Sequence, residues 1–131
     1  FEKPFIKRVP FSSKDLLIII GITGEINGKV MINTNRDSCI NIASRMMGGV
    51  PAQFDEITKS AVGELCNMIL GYTAMIFEKE GTKIDITSPT IIEGVELKVS
   101  LKEQIICVPI NIGAGIKIEL NISTQSGADV I

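Results

Sequence analysis

Ser60, Glu64, Asn67 and Gly71 line one side of a long, otherwise apolar segment, and these are the residues of the chain best placed to do chemistry. At 100° per residue, Gly63, Ala74, Glu56 and Glu78 fall within about 60° of the same line. A carboxylate and a carboxamide one helical turn apart, set among small residues that let another molecule come close, read as a docking and catalytic edge. A Glu and an Asn at this spacing are also common as a merely solvated pair. Glycine inside a helix costs on the order of 1 kcal/mol relative to alanine, so Gly63 and Gly71 need a reason. Close approach of a second molecule is one; helix packing is the other. The remaining circumference, from Phe54 and Ile57 through Val62, Leu65, Cys66, Met68, Ile69, Leu70, Tyr72, Met75 and Ile76 to Phe77, is greasy. An apolar arc this wide implies a helix sunk into the domain that shows only a narrow wedge.

Composition removes several alternatives. The chain has no histidine. That excludes a Ser-His or Cys-His nucleophile pair, the usual zinc sites and a histidine base. Three cysteines, Cys39, Cys66 and Cys107, sit in apolar stretches without CxxC spacing and read as buried thiols of a reducing compartment. Asp55, Glu56 and Asp85 find no third oxygen ligand at a useful spacing, so no metal site is expected. Neither a P-loop nor a dinucleotide glycine motif follows a strand. A net charge of -2 without charge blocks argues against nucleic acid and polybasic membrane contact. The longest uninterrupted apolar run, residues 16–20, is far short of a membrane span, and a signal peptide pattern is missing, so the expected setting is cytoplasmic.

These residues must be positioned by one domain of 131 residues, long enough for a real core. Residues 1–14 read as irregular. Residues 16–26 and 29–33 read as a hairpin around Asn27-Gly28. A helix is expected over residues 36–47, capped by Thr34 or Asn35, with Ile40, Ala43, Met46 and Met47 facing inward and Gly48 stopping it. The long helix begins at 52 or 55 and runs to 80. Short strands follow at 83–87, 90–92, 95–101, 104–112 and 115–123, the last two joined by Gly113-Ala114-Gly115. In the final one Ile116, Ile118, Leu120 and Ile122 alternate with Lys117, Glu119 and Asn121, which predicts one buried and one wet face. The tail from Thr124 reads as loose. The fold class is α+β, two main helices packed on a mainly antiparallel sheet.

Ser60-x3-Glu64-x2-Asn67, within Ser-Ala-Val-Gly-Glu-Leu-Cys-Asn-Met-Ile-Leu-Gly and followed by Pro89, resembles the signature of the CheC/CheX/FliY phosphatases of bacterial and archaeal chemotaxis. Residues 21–30, Gly-Ile-Thr-Gly-Glu-Ile-Asn-Gly-Lys-Val, resemble that family's central hairpin, and residues 105–110 its closing strands. The resemblance covers roughly residues 5–123. CheC-like members carry the motif twice. The single copy here is similar to CheX, whose members tend to form homodimers through their sheets and begin with an amphipathic helix that has no counterpart in this chain.

The resemblance implies a hydrolase acting on the aspartyl phosphate of a phosphorylated CheY-like response regulator. The regulator's own pocket would supply a magnesium ion and a lysine, with no cofactor bound by this chain. Hydrolysis of that acyl phosphate needs a water placed in line, which is a matter of positioning and electrostatics. Asn67 suits that water, since an amide offers donor and acceptor without adding charge against the phosphoryl oxygens. Glu64 would be repelled by phosphate and suits the regulator's lysine as an anchor. Ser60, Gly63 and Gly71 are expected at the docking edge. The rival readings are a scaffold of the same fold, as in flagellar switch proteins, that binds a regulator without hydrolysis, and a structural partner that completes a sheet. Asn27 reads as a turn residue, Pro89 as a loop constraint and Met46-Met47 as core.

Overall fold

The computed structural model describes residues 3–7, 11–99, 105–113 and 116–124. Its elements, in chain order, are β1 (Phe5–Lys7), β2 (Phe11–Gly24), β3 (Gly28–Thr34), α1 (Arg36–Met46), α2 (Glu56–Lys79), β4 (Ile84–Ile86), β5 (Thr90–Val99), β6 (Ile105–Gly113) and β7 (Ile116–Thr124). All strand pairings are antiparallel, in the order β1-β6-β7-β3-β2-β4, with β5 also on β2. The two helices lie on this sheet, as the α+β reading expects. β4 and β5 share one side of β2 end to end: β4 pairs Ile22, Thr23 and Gly24, and β5 pairs the stretch from Phe11 to Ile19. Residues 87–89 bridge the gap between them, opposite Gly21.

Local chemistry accounts for the elements. Asn35 caps α1, its side chain accepting from the Ser38 N–H at 2.8 Å, and Asp55 does the same for α2 through Thr58 at 2.8 Å. Beyond each helix the glycines Gly48 and Gly81 take positive φ, +75° and +97°, which favours glycine over any residue with a Cβ. Leu16, Ile18, Ile20, Val30 and Ile32 project from one sheet face onto Cys39 and Ala43 of α1 and Val62 of α2, forming the core. Pro109, which has no N–H to give, lies on β6 beyond the end of β1, where that side of the strand has no partner among the described residues.

Outside the long helix, the structure departs from the sequence expectations in five places. The irregular start contains β1 and the first third of β2. A bulge between Ser13 and Asp15 breaks the alternation there, with Asp15 at φ 61° and its carboxylate accepting from the Arg36 N–H at 2.8 Å. The strands expected at 90–92 and 95–101 are one strand, β5. The hairpin turn does not centre on Asn27-Gly28: Gly28 already pairs with Ile22, and Asn27 donates to the Gly24 carbonyl at 3.3 Å within a longer loop. Gly28 is needed because a Cβ would come within 2.1 Å of the Ser123 carbonyl oxygen on β7. Met46 and Met47, the last residue and the C-cap of α1, are 46% and 47% exposed rather than core.

The fifth departure concerns β7. Its supposedly wet face holds Asn121, buried beside Met31 and Cys107, and Ser123, buried beside Ile105, whereas Ile118, Leu120 and Ile122 are only half-buried. Alternation marks which residues share a face, and it does not say which face the rest of the chain covers. The Gly113-Ala114-Gly115 turn lies partly, and the tail after Thr124 wholly, outside the described residues.

Candidate functional site

α2 stands on its Asp55 cap and is fixed at its first turns. Thr58, Lys59, Val62 and Gly63 are its buried residues. Lys59 was not singled out in the sequence, since a lysine in an amphipathic segment normally reads as surface. It anchors the helix: its ammonium bonds Glu93 on β5 at 2.9 Å and Glu56 at 3.0 Å, and sits 4.9 Å from the centroid of the Phe54 ring. Its hydrogen bonds to Glu93 and Glu56 raise its pKa above the ordinary 10.5.

The helix is not sunk into the domain. Met68, Tyr72 and Met75 are 67%, 65% and 54% exposed, and Ile69, Ile76 and Phe77 are also open. α2 packs mainly through the side bearing Val62, Cys66 and Leu70, so the apolar arc reaches well past what the sheet covers. An open apolar groove of about 550 Å³ runs between its second half and the sheet, lined by Ile22, Ile69, Phe77, Leu120 and Ile122 among others. By length and composition α2 is apolar enough to cross a membrane. It nonetheless carries Lys59, Glu64 and Asn67 and packs on a sheet along one side.

Of the residues singled out, Ser60 and Glu64 are exposed, and neither side chain has a hydrogen bond or ion pair among the described residues. Asn67 is half-buried one turn on, and its Nδ2 donates to the Thr87 carbonyl oxygen at 2.9 Å. The three share one edge of α2, as the spacing predicts. Gly63 does not belong to that edge. It is buried, and a Cβ there would lie 2.8 Å from Cδ1 of Ile91 and 3.9 Å from Cγ of Pro89. The glycine lets residues 89–91 pack against the helix, so its role is internal packing. Gly71 is half-buried and turned toward Ile86, with room for a Cβ at 3.7 Å. Pro89 sits in the bridging segment, as a loop constraint.

Neither Glu64 nor Asn67 lines the apolar groove. Standing outside that groove, the edge suits a macromolecule that brings its own pocket better than an enclosed small molecule. Among the described residues, no group of three or more Cys, Asp and Glu side chains converges as metal ligands do. The thiols are poor nucleophiles: burial pushes both Cys39 and Cys66 up to about 11.

With this geometry in place, comparison with known proteins is informative. Residues 16–111 match the family described as chemotaxis phosphatase CheX. The chain is 38% identical over 113 residues to the CheY-P phosphatase CheX of Thermotoga maritima, covering 86% of this chain and 73% of the relative. The solved CheX of Desulfovibrio desulfuricans superposes with a TM-score of 0.80 at 25% identity, over 94% of this chain and 83% of that one. A chain of the CheX-CheY-BeF3-Mg2+ complex from Borrelia burgdorferi does so at 0.78 and 26%, over 94% and 81%.

Proposed function

We infer the function from one premise: this chain belongs to the chemotaxis phosphatase CheX family. It is a hydrolase that removes the phosphoryl group from the aspartyl phosphate of a CheY-like response regulator. The observation that carries the reading is a helix edge on which an exposed carboxylate and an anchored carboxamide stand one turn apart.

Asn67 is the catalytic group. Its Nδ2 is held by the Thr87 carbonyl, which leaves Oδ1 as the acceptor available to a water, whose oxygen lone pair it orients toward phosphorus. The water oxygen forms the new P–O bond as the bond from phosphorus to the aspartyl oxygen breaks, leaving the regulator's carboxylate and inorganic phosphate. The loose transition state asks for alignment and charge neutralisation, and a neutral amide supplies the first without opposing the second. Glu64, unpaired in this chain, binds the regulator's active-site lysine and sets the register of the two molecules. Ser60 and Gly71 flank the contact. Magnesium belongs to the regulator's pocket, where it neutralises the phosphoryl oxygens, and the chain contributes no cofactor of its own.

The setting is the cytoplasm, where response regulators receive and lose phosphate, with no nucleic-acid or membrane partner. A homodimer is part of the same reading, supported by the resemblance and by the backbone of β6 beyond β1, which has no partner on that side among the described residues. The test is the decay of magnesium-loaded phospho-CheY with and without the chain. Acceleration at substoichiometric enzyme is expected. Unchanged decay across several cognate regulators, despite binding, would leave a scaffold and overturn the assignment.

A further inference from the structure

Thr87 makes an unusual exchange with Gly21. In a regular antiparallel ladder two facing residues trade both N–H and C=O groups. Here the Thr87 N–H donates to the Gly21 carbonyl at 3.0 Å, but the Gly21 N–H donates to the Thr87 hydroxyl at 2.8 Å instead of to the Thr87 carbonyl. The side-chain oxygen stands in for the main-chain one. The Thr87 carbonyl is therefore released from the sheet and turned to the helix, where it accepts from Asn67 Nδ2 at 2.9 Å. The hydroxyl proton goes to the Ser88 carbonyl at 3.2 Å, so the hydroxyl both donates and accepts.

Close packing keeps this arrangement in register. A Cβ on Gly21 would lie 3.1 Å from Thr87 Cγ2 and 3.2 Å from Oγ1, tighter than side chains normally tolerate. A Cβ on Gly63 would crowd the Ile91 side chain at the start of β5, just beyond the segment that carries Thr87. The two glycines bring β2, the bridging segment and α2 to the distance at which the carbonyl meets the amide.

We propose that Thr87 is a positioning residue for the reaction: its hydroxyl replaces its own carbonyl in the sheet, and the freed carbonyl fixes the Asn67 amide with Oδ1 toward the substrate. A carboxamide has two nearly isosteric faces, and only an NH2 can face a carbonyl oxygen. Without the Thr87 carbonyl the amide would turn freely and present donor or acceptor to the water. The proposal rests on Asn67 being the catalytic amide, but its structural half can be tested apart from activity.

The first readout is the side-chain NH2 of Asn67 by NMR in the wild-type protein. One of its two protons is expected to exchange with solvent more slowly than the other and to resonate away from its position in an unstructured asparagine; equally fast exchange of both, at unstructured positions, overturns the proposal. In Thr87→Val, which keeps the shape and removes the hydroxyl, the Gly21 N–H reclaims the carbonyl and that asymmetry disappears. The kcat on phospho-CheY then falls roughly tenfold or more while KM stays within about twofold, as expected for lost alignment rather than lost docking. Thr87→Ser restores both the resonance and kcat. Unchanged kcat in a folded Thr87→Val protein, or failure of serine to rescue, would reduce Thr87 to a packing residue. If the asymmetry is present but Asn67→Ala is fully active, the catalytic reading fails and the positioning geometry stands.

Discussion

At the scale of single residues, the site divides into what a side chain announces and what a backbone atom does silently. Glu64 and Asn67 were legible because a carboxylate and a carboxamide at helical spacing stand out from a greasy background. Thr87 was not, since it acts through a carbonyl twenty residues from Asn67 that every residue type possesses. Lys59 was missed for the opposite reason: its charge suggested solvent, whereas Glu93 and Glu56 let it be buried. Its raised pKa fixes the sign of a pH effect. The stability contributed by its ion pairs is fully present below the unfolded value near 10.5 and lost as pH rises through the higher folded value. Denaturant midpoints measured at increasing alkaline pH should therefore fall more steeply for wild type than for Lys59→Met. The thiols give a second residue-scale outcome. With pKa values of about 11, Cys39 and Cys66 should resist alkylation by iodoacetamide at neutral pH in the folded protein and react on unfolding, as mass spectrometry will report.

At the scale of elements, both helices were readable from caps and stops, and the strands less so. Asn35, Asp55 and the glycines after each helix act locally, and a local signal survives in sequence. The bulge at Asp15 and the covered face of β7 depend on partners far along the chain, which alternation does not record. Asp55 supplies a prediction here. Hydrogen bonds from Thr58 lower its pKa below 3.8, so its share of stability is present above that value and lost as pH falls through the lower folded one. Asp55→Ala should lower Tm by a few degrees at neutral pH and by less in acid, measured by circular dichroism. The two helical glycines should respond with opposite sign. Gly71→Ala has room for its methyl and gains helix propensity of roughly 1 kcal/mol. Gly63→Ala gains the same propensity but drives Ile91 from a packed position, an overpacking cost of about 1–3 kcal/mol. The Tm order should be Gly71→Ala, wild type, Gly63→Ala.

At the scale of the molecule, the expectation that α2 is buried failed for an instructive reason. Hydropathy counts apolar residues without saying whether this chain or another molecule covers them, and here Met68 and Tyr72 lie in the open beside Glu64. The edge that carries Glu64 and Asn67 lies outside the apolar groove, on the exposed side of the helix. Chemistry at such an edge must be completed by the substrate protein. Chelating magnesium should abolish the acceleration of phospho-CheY decay while leaving the thermal unfolding of this chain unchanged. The most direct measurement compares wild type with Asn67→Ala in two assays: turnover of magnesium-loaded phospho-CheY, and affinity for the same regulator carrying BeF3. Turnover should fall by roughly 10² or more with affinity within about threefold, because the amide acts on the water and not on docking. Turnover retained in Asn67→Ala, or turnover and affinity lost together, would contradict the assignment of Asn67 as the catalytic group.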